Sequence, residues 1–193
     1  MKKAYEGFEA KKSGSAIVDL PPKGAYVGEI QGVKVEDSYN HEFEQLVLML
    51  EVTEGEYKGR YHEHYANQKE RFGDNVKYRG SLRIRIPTGK DGEDEWIRRQ
   101  FEGAMWAVED SNDGYAFDWD ENKLKGKKVG FSVRDTYYTY GDKDYQGTEI
   151  GRLESIKEVK AGKVRPMKER DSRKNKTEET AYTNVSSTVD VPF

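Results

Sequence analysis

The sequence predicts a mainly β domain, a five-stranded barrel with one helix between its third and fourth strands, followed by a disordered C-terminal tail. Three observations carry that expectation. Leu46, Leu48, Leu50 and Val52 alternate with Val47, Met49 and Glu51, the period of two of a strand with one deeply buried face. Glycine and tyrosine are abundant (19 and 13) while proline is scarce (5), which favours bent β-structure over a helical bundle. The clearest helical spacing is a single segment, Glu95 to Glu109, late in the chain.

Residues 1–20 read as a loose polar arm, with Lys2, Lys3, Lys11 and Lys12 around Tyr5 and Phe8, and Ile17, Val18 and Leu20 resting on the barrel. Pro21-Pro22-Lys23-Gly24 breaks the chain into the domain, expected over 21–163. The first strand, Tyr26 to Val35, carries glycines at 28 and 32 where a strong bend is permitted. Asp37 to Glu42 is the loop to the second strand. Glu54 to Arg60 is a turn with two glycines, and Tyr61 to Tyr65 reads as the third strand. Leu82, Ile84 and Ile86 then alternate with Arg83 and Arg85, an edge strand or extended ribbon whose two arginines share a face.

In the helix, Trp96, Ile97, Phe101, Met105, Trp106 and Val108 form an apolar stripe, and Asp94 and Glu95 suit its positive N-terminal end. Tyr115, Phe117 and Trp119 follow, interleaved with acids. The fourth strand is expected over Val129 to Tyr138, a hairpin loop over Gly141 to Asp144, and the last strand over Tyr145 to Val159. Residues 164–193 form the tail. Arg165 to Asp190 has almost no apolar residue and no periodicity, so it reads as disordered, and Val189 to Phe193 is an apolar, acidic tip on that tether.

Composition narrows the function. With no cysteine, disulfide scaffolds and thiolate zinc sites are excluded. No apolar run approaches the ~18 residues needed to span a bilayer, and the lysine-bearing start has no apolar core of a secretory signal, so no membrane role and a cytoplasmic location are expected. The net charge is −3, and the chain before Arg165 is more acidic still. Any anion-binding surface must therefore be local.

Three strands, a helix and two strands is the order of an OB-fold, the small barrel used for oligonucleotides. Aromatic and basic residues interleave where such a barrel meets a ligand. The first loop offers Tyr39 and Phe43 beside His41, and the third strand offers Arg60, Tyr61 and Tyr65. The ribbon offers Arg83 and Arg85. The last hairpin offers Arg134, Tyr137, Tyr138, Tyr140, Lys143 and Tyr145. Rings of this kind stack bases without sequence preference, and the cations between them track phosphates. A single strand tyrosine is more often a packing residue. Three adjacent ones, at 137, 138 and 140, cannot all point inward.

His62 and His64 would share one strand face and, with the acidic loops at 91–95 and 118–121, raise a metal-dependent nuclease as an alternative. No third ligand is fixed by spacing, and neither a metal nor a cofactor is expected. A second alternative is a partner-binding barrel whose acidic surface mimics nucleic acid, for instance an inhibitor of a host nuclease.

The ending Asp190-Val191-Pro192-Phe193 resembles that of single-stranded DNA-binding proteins of bacteria and their phages, in which a disordered linker leads to an acidic peptide closing in Pro-Phe. This tip carries one acid where the family usually has several. The segments Gly55 to Arg60, Leu124 to Gly130 and Tyr145 to Ile150 resemble the phage-encoded group. The resemblance covers roughly residues 24–160 and the last four. It implies a non-enzymatic protein that binds single-stranded DNA in phage replication and recombination inside a bacterial host. It further implies that Asp190, Val191, Pro192 and Phe193 recruit replication or recombination proteins. A homo-oligomer is compatible with it.

Overall fold

The computed structural model describes residues 18–89 and 94–173. Its order is β1 (Gly24–Asp37), β2 (Glu44–Val52), α1 (Arg60–Phe72), β3 (Ser81–Arg85), α2 (Glu95–Ser111), β4 (Lys128–Tyr140), β5 (Lys143–Glu154), α3 (Ile156–Lys160) and β6 (Arg170–Asp171). The fold is mainly β. Five strands are joined in the order β3-β2-β1-β4-β5, all antiparallel, and the two-residue β6 pairs parallel with β4.

The alternation along β2 sets the core. Leu46, Leu48, Leu50 and Val52 are buried beside Ile30, Leu82, Ile84, Val129, Phe131 and Val133. Fully burying each such side chain contributes about 1.5–3 kcal/mol. β1 can bend across the sheet because Gly28 sits against its neighbours, where a Cβ would lie 2.3 Å from the Glu51 carbonyl oxygen and 2.5 Å from the Phe131 ring. A register shift between Ile30 and Gly32 marks the same bend. Val18 is buried and Leu20 packs on the core, as the sequence suggests; residues 1–17 lie outside the described residues.

The barrel expectation is corrected. β3 and β5 approach each other but do not pair, so the sheet remains open along those two edges. α2 lies over the gap, where Leu82, Ile84, Ala104, Ala107 and Leu153 line a cavity of about 310 Å³. The helix supplies the burial that strand pairing would otherwise supply. α2 itself falls between the third and fourth strands, as expected. Asp94 caps it by accepting from the Trp96 N–H (2.9 Å). Its buried face is Ile97, Phe101, Ala104, Met105, Ala107 and Val108, so Trp96 lies exposed and Trp106 is half-exposed at the edge of the cavity rather than in the stripe.

The predicted third strand, Tyr61 to Tyr65, is helical, and the third strand is Ser81–Arg85. Gly59 adopts φ 76°, a left-handed conformation that turns the chain into α1. The Glu51 carboxylate then accepts from the Tyr61 N–H (3.2 Å) and the His62 N–H (2.6 Å), capping the helix from a strand ten residues earlier. Tyr61, His64, Tyr65 and Gln68 form its less exposed face, a helical spacing. The last strand also stops earlier than expected, at Glu154, because Ser155 caps α3 by accepting from the Lys157 N–H (3.1 Å). Disorder does not begin at Arg165. The Arg165 carbonyl accepts from Arg152 (2.7 Å), and Ser172 bonds the Tyr137 carbonyl through its backbone N–H and its hydroxyl (both 3.0 Å). The disorder expected over 174–190 lies outside the described residues.

Candidate nucleic-acid interface

The face of β2 turned away from the core carries Gln45, Val47 and Met49. Register sets Lys34 of β1 and Arg83 of β3 on either side of Val47, and Ser81 beside Met49. The segment before β3 folds over one end. The result is a groove of about 500 Å³ lined by Lys34, Met49, Lys77, Tyr78, Arg79 and Arg83, closed by Thr148 and Glu149 of β5. Four of these side chains are cationic. Lys34 and Arg83 both bond Glu36, Arg83 at 3.3 Å, and the Lys34 hydrogen bond is the leading cause holding that carboxyl below its ordinary range. Glu149 is matched by Arg134 and Arg170. Lys77 and Arg79 have no ion-pair partner among the described residues.

Glu51 holds this arrangement in place. The Tyr78 hydroxyl donates to the Leu50 carbonyl (2.9 Å) and lies 3.3 Å from Glu51 Oε2, while His62 Nδ1 sits 2.8 Å from the same oxygen. One buried carboxylate thus caps α1 and pins the segment that carries Lys77 and Arg79. Burial, then Glu51, drives the Tyr78 phenol well above its ordinary pKa. His64 is pushed below its ordinary value by burial first and by Arg79 second.

The structure distributes the sequence candidates unevenly. Arg83 lines the groove. Tyr65 meets Tyr78 edge-on at 5.8 Å, which brings it to the groove wall. Arg85 lies over the Phe43 ring at 4.4 Å, and Tyr39 is fully exposed at the tip of the β1–β2 loop. Strand alternation sends Tyr138 and Tyr140 to one side of the β4–β5 hairpin and Tyr137 to the other. Tyr138 and Tyr145 stack across the strands (5.7 Å between centroids, 18° between planes). Tyr140 is 78% exposed and sits opposite Lys143 at the hairpin end. Tyr137 lies beneath the Arg173 guanidinium at 4.7 Å.

Three candidates are engaged elsewhere. Tyr61 is 1% exposed and packs against Tyr78 and Phe131, so its ring has no face to offer a ligand. Arg60 pairs with Glu63 (3.1 Å), and Arg134 bonds Glu149 (2.7 Å). His62 and His64 do not share a face, because two positions apart on a helix is more than half a turn. Among the described residues no group of three or more His, Asp or Glu side chains is placed to hold a metal ion. Asp190, Val191, Pro192 and Phe193 lie outside the described residues.

Lys34, Met49, Phe72, Lys77, Tyr78 and Arg79 escape the sequence reading. The run Lys77-Tyr78-Arg79, just before Arg83 and Arg85, is a basic and aromatic interleave of the kind sought elsewhere in the chain. Comparison with protein-family models and with curated proteins finds no match to this chain. Among the described residues no helix is long and apolar enough to cross a membrane.

Proposed function

We propose that this protein is a non-enzymatic single-stranded DNA-binding protein built on an open OB-type sheet. The observation that carries the reading is the cationic groove on the outer face of β2 and β3, on a chain whose net charge is −3. Lys34, Lys77, Arg79 and Arg83 line a track for phosphates, Tyr78 lines it with them, and Tyr138, stacked on Tyr145, borders the adjoining cleft as a stacking surface. The order β3-β2-β1-β4-β5, with the unpaired edges facing each other, supports the OB-type description. The protein would act in phage replication and recombination in the bacterial cytoplasm, and Asp190 to Phe193 would recruit partner proteins.

Fluorescence anisotropy with labelled oligo-dT at low and high salt tests this reading. Four phosphate-facing cations give a slope of log affinity against log salt no steeper than about −3, at about 0.7 per contact for single strands. Absence of binding at low salt would overturn it and favour the partner-binding barrel. Deleting Asp190 to Phe193 should leave DNA affinity unchanged or raised.

A further inference from the structure

Beside the groove, between α1 and the β4–β5 hairpin, lies a second cleft of about 590 Å³. Lys77, Arg79 and Thr148 line both, so the two spaces adjoin. We propose that this cleft is a nucleobase-reading subsite, which takes one base turned out of the strand in the groove and recognises its polar edge. The inference rests on the reading of the groove as a single-strand track.

Its lining differs from that of a phosphate site. Gln68 lines it from α1 and Gln146 from β5, His64 and Asn75 line it too, and the Phe72 ring forms a wall, while Tyr138 borders it from the opposite face of the hairpin. The chain holds 36 Asp and Glu, yet none lines this cleft. A base edge therefore meets donors and acceptors without a competing carboxylate. Several of these groups lack a partner. His64 Nδ1 is buried with no hydrogen bond, Gln68 forms no side-chain hydrogen bond among the described residues, and Gln146 uses only its amide nitrogen, toward the Tyr137 hydroxyl at 3.4 Å. An amide carries a donor and an acceptor in one plane, the arrangement that reads a base edge bidentately. Phe72 is 65% exposed although it ends a helix beside apolar Val76 and Leu20, and a stacked base would cover it. Arg79, at the junction of the two spaces, is placed to hold the phosphate on which the strand turns.

The groove alone is indifferent to sequence, because phosphates and stacking carry none. The cleft adds unequal affinity for different bases. The test titrates the full chain and its Gln68→Ala/Gln146→Ala variant with oligo-dA, oligo-dC, oligo-dT and a fully abasic strand, all of one length, at low salt. The expected result is that the variant loses affinity for one homopolymer by about fivefold more than for the others, the size of a lost bidentate contact, and binds the abasic strand as the parent does. Equal losses on every homopolymer, or no loss, would overturn the subsite while leaving the groove reading intact. Failure of the parent to bind any strand would instead overturn the groove reading, and the subsite with it. Should the double variant not fold, Gln146→Ala alone carries the test, since that side chain is exposed on the hairpin.

Discussion

Two aromatic clusters sit on this small domain, and their surroundings differ in charge. One surrounds the groove and cleft, where Tyr65, Tyr78, Phe72, Tyr138 and Tyr145 stand beside Lys77, Arg79 and Arg83. The other surrounds the start of α2, where Trp119 stacks on Phe101 (5.4 Å, 13°) and Phe117 closes the triangle. The second cluster has the larger exposed rings, Trp96 and Trp119 at 60% and 66%. Its acids are Asp94, Glu95, Asp118 and Asp120, and its cations are already paired, Lys123 with Asp118 and Arg98 and Arg99 with Glu95. Ring exposure alone would favour the α2 cluster as the nucleic-acid site, against the reading proposed above. The proposed reading rests instead on Lys77 and Arg79, which have no ion-pair partner among the described residues, because a strand that cannot neutralise its phosphates gains little from stacking.

The largest expected effect separates the clusters by stability. Phe101 is a buried core side chain that anchors Trp119, so Phe101→Ala should destabilise by about 3–5 kcal/mol, measured by urea unfolding. The fraction that remains folded should bind oligo-dT as the parent does. A parallel loss of intrinsic DNA affinity would mean that the α2 cluster belongs to the binding surface.

Much of the scaffold was legible because it rests on short-range periodicity. The Leu46 to Val52 alternation, the α2 pattern and the late hairpin each need only a few residues to declare themselves. What was not legible depends on contacts distant in sequence. Tyr61 to Tyr65 alternates aromatic and polar residues as a strand would, and becomes a helix because Glu51 offers its carboxylate to two backbone N–H groups ten residues on. A strand there would put His62 and His64 on one face and offer Tyr61 to a ligand; the helix separates the two histidines and buries Tyr61. The groove was missed for the same reason. Lys34, Lys77, Arg79 and Arg83 are spread over fifty residues, and only the β1-β2-β3 register and the Tyr78 anchor bring them together. Charge alone requires any anion site to be local, and the groove is one place where four cations are gathered.

Binding strength separates the clusters next. Lys77→Ala with Arg79→Ala should weaken oligo-dT binding by about tenfold or more at low salt and flatten the salt slope by about 1.4, since two phosphate contacts at about 0.7 each are lost. Trp96→Ala with Trp119→Ala should change affinity by less than about twofold, as expected for rings whose neighbouring cations are already paired. Anisotropy at several salt concentrations reads both. An unchanged slope in the first variant would remove the groove from contention.

Buried phenols also give the fold a pH dependence. Burial raises Tyr26 to about 12 and carries Tyr61 and Tyr78 higher, from an ordinary value of 10.0. A raised folded value contributes stability that is whole below pH 10 and is lost as pH climbs toward the folded values. Each fully retained phenol then adds about 1.4 kcal/mol per pH unit to the alkaline decline. Tyr61 is the cleanest probe, because its hydroxyl is buried with no hydrogen-bond partner, so Tyr61→Phe leaves no polar group stranded. The variant should match the parent at pH 7 and lose stability less steeply above pH 10 in urea melts. An identical alkaline slope would mean that Tyr61 ionises freely and is not held in the core.

The smallest expected effect is optical and comes from where tryptophan is placed. Trp96 is exposed on α2, Trp106 lies at the edge of the cavity under that helix and Trp119 stacks on Phe101, whereas the groove and cleft contain tyrosine and phenylalanine but no tryptophan. A base must contact an indole ring to quench it strongly. An oligonucleotide in the groove should therefore leave tryptophan emission nearly unchanged at saturation, even though anisotropy shows full binding. Trp106 is the one with a path for a slight response, since it lines the cavity beneath α2 whose rim includes Arg83. Quenching of about half or more would put bases on the α2 cluster despite its carboxylates. Stacking would then outrank charge on this fold.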